Sequence, residues 1–336
     1  MAAARRRGAD PVSGAPGVPG APVLALDIGG TKTIVAAVEG MPTDGLRPLR
    51  RPVTFATPRD PGAFLSALGE AADRVLPAGA HPTAIGIGVP GPLDSGAGVV
   101  EFSTNLGWRH LPLAALVSER FGGVPTVIED DANSGALGEA IAGAGRGADP
   151  FAYLALGTGL GSGVIVAGQV VSGAHGAAGE VGHMAVHDRD GPYCNCGRHN
   201  CVEAWCSGIG LARRARETWP AARLPDGSAA PRDAEAVFAL ARTGDADALA
   251  LVGRARHAFA IGIAALLASL DPATVSVGGT VGLAEPDFVR GAFREAGQLV
   301  HWATGRRVRL RRPQLGGRSV LAGAAVLGVR ARQDAR

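Results

Sequence analysis

Val23-Leu24-Ala25-Leu26-Asp27-Ile28-Gly29-Gly30-Thr31-Lys32-Thr33-Ile34-Val35-Ala36-Ala37-Val38 sets two apolar runs of strand length on either side of a turn that holds two glycines. Such a stretch reads as a β-hairpin. A similar unit returns later in the chain: Leu154-Ala155-Leu156, the loop Gly157-Thr158-Gly159-Leu160-Gly161-Ser162-Gly163, then an apolar strand over 164–167. At an offset of 130 positions, Leu24, Ala25, Leu26 and Gly29 fall on Leu154, Ala155, Leu156 and Gly159. The recurrence predicts a duplicated lobe. Each copy offers a glycine-lined loop whose backbone N–H groups can approach an anion with no side chain in the way.

Around these units the apolar periodicity predicts strands over 84–89, 126–128, 275–277 and 308–311. Helices are predicted over 62–75, 113–121, 132–142, 202–218, 234–242, 246–270, 285–296 and 320–332. Mixed strands and helices imply α/β layers. A chain of 336 residues exceeds the size at which one core keeps growing, so two lobes are expected. We place a tail over 1–22, an N-terminal α/β lobe over 23–142, a C-terminal α/β lobe over 143–319, and a last helix over 320–336 that packs back on the first lobe.

Apolar residues form 46% of the chain and charged ones 19%, which suits large cores and argues against disorder. The tail, however, is a low-complexity mix of Ala, Gly, Pro and Arg and is expected to be disordered. With no apolar core of its own, it is not a signal peptide. The apolar run over 259–270 is too short to cross a bilayer. A net charge of +3, with arginines scattered or gathered at 5–7 and 306–312, gives no reason to expect nucleic acid. The expectation is a cytoplasmic protein that binds neither membrane nor nucleic acid.

Neither glycine loop fits the familiar fingerprints. Thr31 separates Gly30 from Lys32, which breaks the Gly-Lys pair of a Walker A loop. Ser162 stands where a dinucleotide fingerprint needs its third glycine. As a pair, with the hydroxyls of Thr31 and Thr158 and the nearby Lys32, the loops are suited to closing on one polyphosphate. At the strand end, Asp27 can hold a Mg²⁺ ion directly or through water. A turn-stabilising Asx interaction is its plainer role.

Glu129-Asp130-Asp131-Ala132-Asn133 puts three carboxylates between a strand and a helix. One acid suffices to cap the helix, so the others invite a chemical reason. Phosphoryl transfer to an alcohol needs a positioned hydroxyl, a proton acceptor and positive charge along the phosphates. Asp131 suits the acceptor's part. Asp130 and Asn105, the latter in Ser103-Thr104-Asn105-Leu106-Gly107-Trp108, suit neighbouring sugar hydroxyls, although Asn105 also fits a plain loop turn.

All four cysteines lie between Cys194 and Cys206, which is no disulfide framework. His183 with Cys194, Cys196 and Cys201 makes the one-imidazole, three-thiol set of a closed, structural Zn²⁺ site. His187, His199 and Cys206 compete as ligands, and a loop of reduced thiols is the alternative. A metal there would position the flanking Glu180 and Glu203.

Leu26 to Lys32, Gly88-Val89-Pro90-Gly91-Pro92, Asn105 to Trp108, Glu129 to Asn133, Gly157 to Gly163, Glu180-Val181-Gly182-His183 and the cysteine cluster together resemble the ROK family of bacterial sugar kinases and repressors, its glucokinases most of all. The resemblance runs from Val23 to about Arg330. It implies the two-lobed actin-like ATPase, ribonuclease H-like fold, with nucleotide and sugar in the cleft. It further implies ATP-dependent phosphorylation of a hexose with Asp131 as base. Gly91, Asn105, Asp130, Glu180, His183 and Glu203 would face the sugar. Asp27, Gly29, Gly30, Thr31, Lys32, Gly157, Thr158 and Gly159 would hold Mg²⁺ and phosphates, with Gly278 and Gly279 beside the adenosine. His183, Cys194, Cys196 and Cys201 would hold zinc, and the assembly would be a homodimer or homotetramer.

Two positions depart from the family pattern as the resemblance gives it. Asp130 stands in place of an Asn, and Asn200 in place of a Gly. Asn tolerates the positive φ that a glycine there would signal. Glucose is the expected substrate, with N-acetylglucosamine, N-acetylmannosamine, mannose and fructose as alternatives. Repressors of the family carry a helix-turn-helix ahead of the first glycine motif, whereas a Gly, Pro, Ala and Arg-rich stretch stands there in this chain. An actin-like ATPase with no sugar substrate would need neither the sugar contacts nor the zinc loop.

Overall fold

The computed structural model describes residues 21–186, 191–224, 227–301 and 307–335. In chain order its first elements are β1 (Val23–Ile28), β2 (Lys32–Val38), β3 (Val53–Ala56), α1 (Pro61–Val75), β4 (Ala84–Val89), β5 (Leu93–Asp94), β6 (Val99–Ser103), β7 (Trp108–Leu111), α2 (Leu113–Arg120), β8 (Thr126–Asp130) and α3 (Asp131–Ala142). Then come β9 (Phe151–Leu156), β10 (Leu160–Val166), β11 (Gln169–Val170), α4 (Val202–Cys206), α5 (Gly208–Thr218), α6 (Ala234–Arg242), α7 (Ala246–Leu270), β12 (Thr274–Gly278), α8 (Gly279–Ala284), α9 (Pro286–Leu299), β13 (Arg309–Arg311) and α10 (Ser319–Asp334).

The hairpin recurrence is a duplication of whole sheets. One sheet has the order β3-β2-β1-β4-β8, the other β11-β10-β9-β12-β13. In each, the leading strand pairs antiparallel with its hairpin partner and parallel with a strand that arrives after a helix. Both β1 and β9 are buried on two faces, which is why they read as unbroken apolar runs rather than alternating ones. Leu24, Leu26 and Ile28 pack with Phe64, Leu68 and Ile87 in one core. On the opposite face, Val23 and Ala25 meet Leu321, Ala325 and Val329 of α10. That contact is tight: a side chain at Gly86 would run into the backbone of Ala324 in α10.

The second lobe centres on α7, whose Leu251, Phe259, Ile263 and Leu267 are buried with Leu154, Leu156, Val277 and Phe288. At 25 residues α7 is long and apolar enough to cross a bilayer. It is instead the central helix of this core. The apolar stretch over 259–270, read as too short to span, is only its second half.

Most elements fall within a residue or two of the periodicity, but the second glycine loop is shorter than expected, since 160–163, read as loop, already belong to β10, and the short β11 and α8 were not anticipated. The single helix expected over 202–218 breaks at Ser207, whose hydroxyl accepts from the Gly210 N–H at 3.1 Å and starts α5 afresh. Gly210 makes the break possible, because any side chain there would strike the carbonyls of Glu203 and Ala204. The small sheet β5-β6-β7 and the edge strand β3 carry two to five residues each, too few for a period to register. Expectations for residues 1–20 and for His187 lie outside the described residues.

Candidate active site

Strands β1, β4 and β8 run parallel and end at one edge of the first sheet. The register pairs Asp27 with Gly88 and Val89 with Asp130. In open α/β sheets this carboxyl edge is where ligands sit. Glu129 and Asp130 shape the turn into α3. The Glu129 carboxylate accepts from the Asp130 N–H (2.9 Å) and the Asn133 amide (3.1 Å). Asp130 caps the helix, its Oδ1 accepting from the N–H groups of Ala132 (2.9 Å) and Asn133 (3.3 Å). Capping therefore accounts for one oxygen of Asp130 and leaves Asp131 to be explained otherwise.

Carboxylates crowd this edge. Burial, with Asp131 as the next cause, pushes the Asp27 carboxyl up to about 7 against the opposing pull of Lys32. Burial also raises Asp130 and Asp131, and Glu180 from the second lobe raises both further. Acids from two lobes thus sense one another's charge across the site. Asn105 lies in the β6–β7 turn, against the first glycine loop: a Cβ on Gly30 would stand 2.7 Å from that of Asn105. Gly91, at φ +117°, abuts the Phe102 carbonyl so closely that no side chain fits.

The glycine loops are braced from outside their hairpins. In the first, the Gly29 N–H donates to the Lys32 carbonyl (2.9 Å), and the Thr57 hydroxyl donates to the Gly29 carbonyl (2.8 Å). The second rests on the start of α5, with Gly208 N–H donating to Gly157 (2.8 Å) and Ile209 N–H to Thr158 (3.1 Å). Among the described residues no carbonyl or side chain accepts from the N–H groups of Gly30, Thr31, Thr158 or Gly159. Each loop therefore presents two free donors, as a polyphosphate requires. Gly278 ends β12 and Gly279 begins α8, beside this loop. A side chain at Gly278 would meet the Tyr153 hydroxyl, and one at Gly279 the Leu156 carbonyl.

His183, Cys194, Cys196 and Cys201 bring their ligand atoms within 4.8 Å of one another. The His183 Nδ1 is 3.7 Å from the Cys194 sulfur, and the Cys196 and Cys201 sulfurs are 3.6 Å apart. Ligands about 2.3 Å from a tetrahedral zinc ion stand about 3.8 Å apart, so this donor set fits the ion. Two of the competing ligands face elsewhere. His199 turns its Nδ1 to the Gly191 carbonyl (3.1 Å), and Cys206 is fully buried in the second core. Asn200 holds a φ of +65°, the conformation anticipated for its position. The other His183 nitrogen, Nε2, points to Glu180 at 3.9 Å.

A family model described as the ROK family matches residues 23–331. The chain belongs to the ROK family. It is 37% identical over 217 residues to a glucokinase of Thermotoga maritima, covering 63% of this chain and 68% of that one. It is 36% identical over 263 residues to an N-acetylmannosamine kinase of Shigella boydii serotype 18, covering 78% and 84%. Among solved structures it resembles a ROK family glucokinase from Streptomyces griseus in complex with glucose and AMPPNP. The TM-score is 0.73 and the identity 32%, over 92% of this chain and 99% of that one.

Within this ROK chain the expected site residues fall into two groups, one on each lobe. Asp27, Gly29 to Lys32, Gly91, Asn105, Asp130 and Asp131 line the edge of the first sheet. Gly157 to Gly159, Glu180, His183, Glu203, Gly278 and Gly279 belong to the second. Glu203 also braces the second lobe, for its Oε2 accepts from the Leu160 N–H (2.9 Å) and its Oε1 lies 3.5 Å from the Cys194 sulfur. It thereby ties the second glycine loop to the thiol cluster. Sequence reasoning missed Ser207, Tyr153 and Glu139. For Glu139 a signal existed, a lone acid inside the apolar helical run Ala136-Leu137-Gly138-Glu139-Ala140-Ile141-Ala142.

Proposed function

We propose that this protein is an ATP-dependent sugar kinase that phosphorylates the 6-hydroxyl of a hexose, glucose first among them, with Asp131 as general base. The supporting observation is that three recessed carboxylates at the edge of one sheet feel Glu180 of the other lobe, itself beside His183, in a chain whose two glycine loops each present N–H groups that no described residue accepts from. Similarity to glucokinases and to an N-acetylmannosamine kinase at nearly equal identity favours a sugar acceptor and leaves several sugars in play.

In this reading Asp131 takes the hydroxyl proton as the sugar oxygen bonds to the γ-phosphorus and the bond to ADP breaks. A carboxylate raised by burial is the stronger base for that step. The backbone donors of Gly30, Thr31, Thr158 and Gly159 hold the phosphates in line, with Gly29 and Gly157 shaping the loops and Lys32 adding charge. Asp27, facing Asp131 with Lys32 alone to offset it, fits a magnesium ion, which would supply positive charge along the β- and γ-phosphates. Asn105, Asp130, Glu180, His183 and Glu203 orient the sugar beside Gly91, while Gly278 and Gly279 leave room for adenosine. His183, Cys194, Cys196 and Cys201 would hold a zinc ion, whose part would be structural. With Nδ1 on the thiol side, the His183 ring turns Nε2 toward Glu180, and a bound metal would keep it so.

Asp130 caps α3 just as an Asn would, so its replacement of Asn leaves the turn intact. The difference falls on the second side-chain atom, which is an acceptor only. A sugar hydroxyl meeting it must therefore donate. We further propose the lobe exchange between 142 and 143, cytoplasmic location, and assembly as a homodimer or homotetramer.

A coupled assay with Mg-ATP and a panel of glucose, mannose, fructose, N-acetylglucosamine and N-acetylmannosamine tests the reading. Glucose should give the highest kcat/KM. Asp131→Asn should bind sugar normally and lose kcat by about 10⁴-fold. Near-normal turnover in that variant would remove Asp131 as the base.

A further inference from the structure

The chain passes between the two large sheets twice, once from α3 to β9 and once from β13 to α10. Both passages are fastened to one side chain. Glu139, in the last turns of α3, is fully buried. Its Oε2 accepts from the N–H of Ala144 (2.8 Å) in the outward passage and from that of Gln314 (3.1 Å) in the returning one. Its Oε1 accepts from the Leu315 N–H (3.0 Å) and from the Ser319 hydroxyl (2.8 Å) at the start of α10. No Lys, Arg or His pairs with it among the described residues. Among the described residues four donors hold the carboxyl group, three of them backbone.

Such an arrangement is costly unless every bond is made, since a buried carboxylate with missing donors loses its compensation outright. Packing alone would not call for it. Elsewhere α3 and α10 touch through glycine: a side chain at Gly138 would strike Ser319, and one at Gly323 would strike Ser134. The two helices therefore form one close-packed unit, with Asp131 at the far end of α3 from Glu139. A rise of 1.5 Å per residue puts the two acids about 12 Å apart along the helix. Tyr153, whose surroundings include Ser319 and Glu139, sets its hydroxyl in the space over Gly278. Glu139 and Ser319 thus join the base-bearing helix to both crossings, with Tyr153 and the end of β12 close by.

We propose that Glu139 is a positioning residue, the pivot about which the two lobes close so that the phosphate-facing loops meet the helix that carries Asp131. The proposal rests on the sugar-kinase reading for its effect on turnover, and on the fold alone for its effect on closure.

Glu139→Gln keeps the shape and puts an NH₂ against two donors, so at least one of the Ala144, Gln314 or Leu315 N–H groups loses its acceptor. Small-angle scattering with and without glucose plus AMPPNP reads closure. Steady-state kinetics and sugar titration read kcat and affinity. In Glu139→Gln we expect the ligand-induced fall in radius of gyration to shrink by at least about half and kcat to fall about a hundredfold, as a displacement near 1 Å can produce. The sugar Kd should stay within about threefold, because the sugar contacts are unchanged. Ser319→Ala, which removes one donor of four, should show the same pattern more weakly and decides the matter if Glu139→Gln does not fold.

Full closure with normal kcat in the folded variant would overturn the proposal. So would a loss of kcat matched by the loss of sugar affinity and melting temperature with closure intact, the mark of a purely structural residue. Failure of the wild-type protein to phosphorylate any sugar would count against the kinase reading instead, and the scattering comparison with AMPPNP alone would still test the pivot.

Discussion

Asp27→Asn should make the ligand-free protein more stable, and the gain should grow with pH. Asp27 lies one residue from the end of β1 among other acids, and burial first and Asp131 second push its carboxyl up to about 7 from an ordinary value of 3.8. Between those values the folded protein keeps a proton that the unfolded chain has released. Stability therefore falls as pH rises, by about 1.4 kcal/mol per unit. Below about pH 4 both states are protonated and the penalty is absent; above about pH 7 both are ionised and it is complete, at about 4 kcal/mol. An Asn has no such titration, so its advantage over the wild type should widen by about 3 kcal/mol from pH 5 to pH 8. Urea unfolding without added magnesium across that range, followed by circular dichroism and by emission in a background that keeps Trp108, which is buried in the first lobe, as its one tryptophan, measures the difference. Two lobes need not unfold together, so the transition reported by Trp108 is the one to compare. Parallel curves for the two proteins would refute the account of the site as a cluster of poorly solvated acids. Phosphorylation should respond in the opposite sense, a stabilising change that removes function.

Other perturbations separate the remaining parts of the site. Gly91→Ala forces a side chain into the Phe102 carbonyl at a φ of +117°, and should cost about 3 kcal/mol in a urea melt and weaken sugar binding. Purified protein should carry about one zinc per chain by mass spectrometry. Cys201→Ser should lose the metal and raise the sugar KM at least about tenfold, while the KM for ATP stays within about twofold. Equal changes in both constants would show that the metal loop acts on the whole lobe and not on His183.

How far the sequence could be read differs from one element to the next. The β1–β2 and β9–β10 hairpins were visible because both leading strands are buried on two faces and both turns carry glycine. The 25 residues of α7 appeared at their true ends, set by Asp245 as a cap and by the left-handed Asp271. The Asn200 substitution was interpretable because positive φ is a local demand. By contrast, the helix break at Ser207 depends on the second glycine loop waiting to receive the Gly208 and Ile209 N–H groups. The β5-β6-β7 sheet, which places Asn105 against Gly30, is too short for any period to show.

Local chemistry, then, was enough for the family, for the two glycine turns, for the acidic strand-to-helix junction and for the thiol set, because each lies within a few consecutive residues. Tertiary structure alone decided which acids share a field, that Glu203 faces Leu160 and Cys194, and that Glu139 gathers donors from residues up to 180 positions away. Those relations arise from strand register and from two crossings of the chain. No periodicity or motif records them, since the partners are neighbours only after the sheets have paired and α10 has returned to the first lobe.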